Sequence, residues 1–337
     1  MAKSIYQELL AEFPIGETEK SMAYVKRLTP EIIAKYGINV ANFKVLADNV
    51  HRNRFSFKKP EIIQEPKVVN THHFNFLKDE NYNPFQIPEP INDEVEYFDL
   101  PNFKKVAFLT DIHLPFYDKL ALILAIDYIK KYEPDCIWLN GDILDAYSIS
   151  RWMKEKNKEN LQYEIDCVRE FLRTLREIFP HTNIYYKVGN HEDRWEHFLN
   201  NNAKALMGVD DFEFENVFRL SKYGIKLVKS KTITKAGKLH IIHGHEVFGS
   251  GGVNPSRGLF MKTFNSTICG HYHRTSEYIN KSIGNEIMGC FTVGSLSQQR
   301  PMYSPVNQYN LGFATIDFSS DGTFSVDNKK IIEGKIY

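Results

Sequence analysis

Five short islands of this chain carry side chains that bind metals and move protons. They are Asp111-Ile112-His113, Gly141-Asp142 with Asp145 three residues on, Gly189-Asn190-His191-Glu192, His243-Gly244-His245 and Gly270-His271-Tyr272-His273. Aspartate, asparagine and histidine supply oxygen and imidazole donors with no cysteine among them. That set suits Mn²⁺, Fe, Zn²⁺ or Ni²⁺ better than a structural zinc site or a calcium cage. So many donors exceed one tetrahedral ion and suit two ions sharing a bridge. A carboxylate is the natural bridge, because its oxygens can face both cations, and Asp142 in the middle island of the first half is the best placed. Asn190 adds a neutral carbonyl oxygen. Two adjacent cations lower the pKa of a shared water.

The elements that must position these residues are legible from hydrophobic patterning. Each island follows an apolar, β-like run: Val106–Leu109, Cys136–Leu139, Ile184–Val188, Leu239–Ile242 and Thr267–Cys269. Ligands placed repeatedly at the C-terminal ends of strands converge on one sheet edge, where α/β enzymes keep their sites. From Lys104 onward strand and helix patterns alternate: strands over 105–110, 135–140 and 183–188, with helices over 120–132, 161–179 and 192–206. After Asp210 strands multiply, over 226–228, 238–243, 266–269, 286–293, 312–318 and 323–326. Ser319-Ser320-Asp321-Gly322 marks the last hairpin. A βαβαβ half followed by a β-rich half predicts an α/β fold of two packed sheets flanked by helices.

The islands, in this order and strand context, resemble the motif set of the calcineurin-like metallophosphoesterases over roughly residues 104–320. Each piece alone is weak; the combination is specific. The resemblance implies a four-layer α/β/β/α sandwich of two mixed sheets and a phosphoester hydrolase using metal-activated hydroxide. It implies that Asp111, His113 and His273 hold one divalent ion, that Asn190, His243 and His271 hold a second, and that Asp142 bridges them, with Mn²⁺ the first expectation. His191 would protonate the leaving oxygen, oriented by Asp145. One departure is visible. Many members follow that aspartate with a phosphate-binding arginine, and here Ala146 stands instead. Phosphate contact is therefore sought at Arg194, Arg257, Arg274 and Arg300. His245 is expected beside a ligand or facing substrate, and Tyr272, with Tyr147 and Trp152, could stack a base. Trp195 is expected in the core. The glycine-rich stretch 249–252 reads as a loop beside the site, and Val293-Gly294-Ser295 as a packing feature.

Ahead of this region, residues 1–57 read as a small helical segment. Ile5, Leu9, Leu10 and Phe13 share a helix face, Thr29-Pro30 starts a helix that Gly37 ends, and 42–53 forms another. Over residues 1–60 there are ten Lys/Arg against six Asp/Glu, with Arg52, Arg54, Lys58 and Lys59 clustered. A helix-turn-helix-like module contacting nucleic acid is one reading. A bundle that packs on the main domain or a second copy, making a homo-oligomer, is the other. Residues 58–101 hold six of the fourteen prolines and read as an extended linker, in which His72 and His73 are expected to be exposed. The catalytic domain is expected over 102–337. Net charge is zero, so no global attraction to polyanions exists. No secretory leader or membrane-length apolar run is visible, and the four cysteines lack metal spacing, which together lead to the expectation of a cytoplasmic protein. The favoured substrate is a phosphodiester, in nucleic acid or a nucleotide. The alternatives are a phosphomonoesterase for proteins or small molecules, and a nucleic-acid-binding module whose phosphoesterase activity is secondary or absent.

Overall fold

The computed structural model describes residues 5–16, 19–28, 30–37, 43–54, 85–88, 91, 94–152, 160–247, 249 and 252–337. Thr29, Asn42, Lys58, Lys59, His72, His73 and most of the proline-rich stretch lie outside the described residues, as do Ser250 and Gly251. The chain divides into two compact units, Met1–Ile91 and Asn92–Tyr337.

The first unit contains α1 (Ile5–Glu12), α2 (Ser21–Arg27), α3 (Pro30–Lys35) and α4 (Phe43–Arg54). Pro30 occupies the first position of α3, where its missing N–H costs nothing. Gly37, at φ +63°, ends it by donating to Ala34 O at 3.0 Å. Leu9, Tyr24, Val25, Ile33, Leu46 and Val50 make one buried core. The Tyr24 hydroxyl satisfies itself on Phe13 O.

The second unit runs β1 (Tyr97–Asp99), β2 (Lys105–Leu109), α5 (Lys119–Tyr132), β3 (Cys136–Leu139), α6 (Leu161–Ile178), β4 (Asn183–Lys187) and α7 (Asp193–Asn202). It continues with α8 (Phe214–Val217), β5 (Ile225–Val228), β6 (Ile233–Ala236), β7 (Leu239–Ile241), α9 (Pro255–Thr263) and β8 (Thr267–Cys269). It closes with β9 (Ser276–Lys281), β10 (Ile287–Thr292), β11 (Leu311–Phe318), β12 (Phe324–Ile332) and β13 (Lys335–Ile336). Among the described residues two mixed sheets form, one in the order β13-β12-β11-β2-β3-β4-β5 and the other β1-β6-β7-β8-β10-β9.

Alternation along the strands builds the layers. Val106, Phe108, Cys136, Trp138 and Tyr185 face the other sheet and pack with Leu239, Ile241, Ile268 and Phe291. Ala107, Leu109, Ile137, Leu139 and Tyr186 face the opposite way, onto Ala125 and Ile129 of α5 and Val168 and Leu172 of α6. Leu259 and Phe260 of α9 cover the second sheet at Ile242, Cys269 and Cys290. The result is helix, sheet, sheet, helix, as expected. Side-chain caps start the helices: Asp118 accepts from Ala121 N, Asn160 from Tyr163 N and Asn254 from Arg257 N.

Some elements differ from the sequence expectations. Tyr97–Asp99, placed in the linker, is an edge strand pairing in parallel with β6. The strands β6 and β9 were not foreseen, and the helix expected through 206 breaks at Ala203 into a 3₁₀ turn. The strand expected over 238–243 shortens to 239–241, which frees His243 to leave the sheet. No helix among the described residues is long and apolar enough to cross a membrane.

Candidate metal centre

The parallel strands β2, β3 and β4 deliver the first three islands side by side, in the registers Leu109↔Leu139 and Leu139↔Tyr186. The exits of β7 and β8, parallel in the facing sheet, deliver the other two. The chain turns sharply at each exit. Asp111, His113, Asp142, His271 and His273 all lie at positive φ, between 52° and 66°, a region that disfavours side chains with a Cβ. Such residues persist only where the surroundings hold them.

The surroundings do. The Asp111 carboxylate is fully buried and accepts Thr110 Oγ1 at 2.5 Å and the His271 N–H at 2.9 Å. Its Oδ1 lies 3.2 Å from His273 Nε2. Asp142 accepts the His191 N–H at Oδ1, 2.9 Å away. Its Oδ2 is 3.3 Å from His243 Nε2, 3.8 Å from His191 Nε2 and 3.9 Å from His113 Nε2. Asn190 Oδ1 stands 3.2 Å from His243 Nε2. Among the described residues, three groups bring ligand-type atoms together: Asp111 with His113 and His273, His113 with Asp142 and His191, and Asp142 with His243 and His271.

Hydrogen bonds on the far nitrogens set which nitrogen of His243 and of His113 points inward. His243 Nδ1 donates to Asn140 O at 2.6 Å, and His113 Nδ1 to Asp145 Oδ1 at 2.9 Å. Tyr309 packs on the His273 ring at 4.6 Å. His113 Nε2 and His273 Nε2 then stand 3.1 Å apart, two imidazole nitrogens turned toward each other. Among the described residues, every ion pair of the buried Asp111 and Asp142 is with a histidine. Two buried carboxylates amid inward lone pairs, with no lysine or arginine partner, form a donor set that fits divalent cations. Burial, and then the charge of His243, press the His271 pKa down to about 4, which keeps that ring a neutral donor.

His191 sits differently. Its Nδ1 donates to Asp145 O at 2.8 Å and lies 3.1 Å from Asp145 Oδ1. Burial favours the neutral ring, but Asp142 and Asp145 outweigh it and raise the pKa above its ordinary value. Arg194, the second residue of α7, donates to Asp145 O at 2.9 Å and to His191 Nε2 at 3.0 Å. A guanidinium therefore stands at His191 although residue 146 is alanine. The other arginines have different company. Arg274 donates to the carbonyls of Gly252 and Val253, Arg257 is exposed on α9, and Arg300 lines a cavity with His113 and Asp145. Tyr272 packs on the Leu259–Phe260 cluster with its hydroxyl 3.4 Å from Val247 O. Trp195 is buried, donating to Phe212 O. His245 lies beside the second group, its ring 5.3 Å from His243 and its Nε2 3.6 Å from Asp193 Oδ2.

Two buried groups escaped the sequence reading. The Glu192 carboxylate accepts from the N–H groups of Asp142, Ile143, Leu144 and Gly189 and from the Tyr186 hydroxyl, all within 3.0 Å. It ties the exits of β3 and β4 together. Lys187 is fully buried, with Nζ 3.1 Å from Glu246 Oε1 and donating to Thr232 O at 2.9 Å. Glu246 in turn accepts the N–H groups of His243 and Gly244 at 3.2 and 2.7 Å. The only sequence signals are a glutamate three residues after Gly189 and a lysine in an otherwise apolar strand.

Comparison with known proteins gives the family. The calcineurin-like phosphoesterase family matches residues 104–289, more than half of the chain. The Gene 54 proteins of Mycobacterium phages L5 and D29 are 30% and 28% identical over 183 residues, covering 51% of this chain and 69% of each relative. Vacuolar protein sorting 29 from Cryptosporidium parvum covers 70% of this chain and 95% of its own at 12% identity, with a TM-score of 0.39. The chain belongs to the calcineurin-like phosphoesterases and is a metal-dependent phosphoesterase.

Proposed function

We propose that this chain hydrolyses a phosphodiester in a nucleotide or nucleic acid, with two divalent cations held by Asp111, His113 and His273 on one side and Asn190, His243 and His271 on the other. The observation that carries the two-ion reading is the position of Asp142 Oδ2, one buried oxygen 3.3 Å from His243 Nε2 and 3.9 Å from His113 Nε2, nitrogens of the two ligand groups. When bound, such cations supply Lewis-acid polarisation of the phosphoryl group and a water acidic enough to react at neutral pH.

The chain's own groups do the rest. Arg194 donates to His191 Nε2, so that nitrogen is an acceptor in the resting arrangement. A phosphoryl oxygen entering beside Arg194 takes over the guanidinium, which prefers an anion to a neutral ring. His191 Nε2 then takes a proton from solvent, which the nearby Asp142 and Asp145 carboxylates favour, and gives it to the leaving oxygen, while Asp145 holds Nδ1. Arg194 thus replaces the arginine absent at position 146. Mn²⁺ is the proposed metal on donor chemistry.

The test is hydrolysis of bis(p-nitrophenyl) phosphate by Mn²⁺-loaded protein beside a panel of monoesters and nucleic acids. Diester cleavage is expected to exceed monoester cleavage. His191→Ala is expected to lower kcat by about 10²–10⁴-fold with metal content still near two per chain. Fewer than two ions in wild-type protein under saturating Mn²⁺ would sink the bridged arrangement.

A further inference from the structure

A cavity of about 360 Å³ opens directly beside His113 and Asp145. Three loops wall it: Phe116 follows β2, Tyr147 follows β3, and Arg300, Met302 and Tyr303 precede β11. Its lining is aromatic next to polar. The Phe116 and Tyr147 rings meet edge to face at 5.6 Å. Met302 and Tyr303 are 72% exposed, so each keeps an accessible face, and Arg300 is exposed too.

The walls are held in place. Gln298 N donates to Phe116 O at 3.0 Å and Asp118 N to Leu296 O at 2.8 Å, stitching the late loop to the early one. Glu164 of α6 accepts the Tyr147 N–H at 2.7 Å and the Ser148 N–H at 2.9 Å. Asn307 closes the late loop on itself through Gln299 O and Ser304 O. A recess shaped by such fixed contacts exists before a ligand arrives, as small-molecule sites generally do.

We propose, on the phosphodiesterase chemistry above, that this cavity receives the base of a single nucleoside esterified to the scissile phosphate. Three observations select that occupant. The cavity shares His113 and Asp145 with the metal centre, so a group that fills it lies beside the reacting phosphoryl group. Its wall is aromatic, with rings that suit the flat face of a base. Its volume lies at the small end of the roughly 300–1,000 Å³ typical of small-ligand sites, which fits one nucleoside rather than a run of stacked bases. Arg300 at the rim meets a second phosphate or the sugar hydroxyls. The substrate class is therefore a nucleotide diester or a strand end, whose terminal base can leave its stack, and not an internal position of a duplex.

Calorimetry on the Mn²⁺-loaded full-length protein tests this with adenosine 5′-monophosphate, ribose 5-phosphate and inorganic phosphate. The adenosine compound is expected to bind about 5- to 150-fold tighter than ribose 5-phosphate, the span of one base–aromatic stack. In Tyr303→Ala and in Tyr147→Leu that ratio is expected to fall toward one. Equal affinity for the two sugar phosphates in the wild type overturns the proposal, as does an undiminished ratio in both variants. The two levels separate cleanly. Loss of bis(p-nitrophenyl) phosphate hydrolysis would remove the phosphodiesterase reading itself, whereas hydrolysis without base preference removes only the nucleoside site. An oligonucleotide cut internally as fast as at its ends also overturns the proposal.

Discussion

Glu192 shows how much of this centre depends on a residue that touches no substrate. Its carboxylate collects four backbone N–H groups and one phenol in a fully buried place, so the backbone that aims Asp142 is fastened to the backbone that aims Asn190 and His191. Removing the acceptor strands those donors, each at a cost of about 1–3 kcal/mol. Glu192→Leu is therefore expected to lose about 3 kcal/mol or more and to lower Tm by at least about 6 °C, read by thermal melts in chelator. A melt unchanged within about 2 °C would show that water reaches those amides. Lys187 and Glu246 act in the same way on the other side, since Glu246 receives the N–H of His243 and its ammonium partner is wholly buried. Neither role is written in the local sequence. An acid in Gly189-Asn190-His191-Glu192 reads as one more donor, and only the fold reveals that it faces backbone. Arg194 is an intermediate case. The sequence offers it as one of four candidate arginines, and only the fold singles it out by bonding it to Asp145 O and His191 Nε2.

At the level of strands and turns, much more was legible. The runs ending at Leu109, Leu139 and Lys187 are apolar on both faces because they lie between a helix layer and a second sheet, and each is followed at once by its island. Strands β6 and β9 were missed for the opposite reason. Ser276–Lys281 alternates half-buried with exposed residues at the sheet edge, and Ile233–Ala236 mixes lysine and threonine with its apolar residues. An edge strand such as β9 buries too little for hydrophobicity to mark it, and β6, between β1 and β7, is four residues long with its apolar residues interrupted. The turns after the strands are tighter than composition suggests. A Cβ on Gly270 would stand 2.0 Å from Thr110 Oγ1 and 2.3 Å from Asp111 Oδ2. Gly270→Ala must push Asp111 aside, and its expected outcome is a folded protein that retains about one ion per chain, counted by atomic emission. Two ions retained would mean that the β8 exit yields instead.

For the whole molecule, the organisation into two units sets what each can do alone. The unit beginning at Asn92 contains both sheets, both covering helix layers and every island, while the first unit packs its own Leu9, Tyr24 and Val50. Deleting residues 1–91 is expected to leave metal content and kcat/KM for a small diester unchanged within about twofold, because units with separate cores tend to fold separately. Whether the first unit reads nucleic acid is decided by the same truncation. Weaker DNA binding with a shallower salt dependence assigns phosphate contacts to its basic residues, of which Arg52 is exposed, and unchanged binding assigns them to the catalytic unit.

The positive-φ backbone at Asp111, His113, Asp142, His271 and His273 has a consequence for any attempt to improve this protein. A side chain held there costs roughly 1–2 kcal/mol that glycine would not. The region that does the chemistry is thus also the region with the most conformational energy to recover. A selection for heat tolerance that ignores turnover would gather glycines at the three histidines of this set rather than at Asp111 and Asp142, whose carboxylates accept backbone N–H groups. Durable variants are better sought in the outer helices and the hairpin at Ser319–Gly322, where gains in stability draw nothing from the reacting end of the sheets.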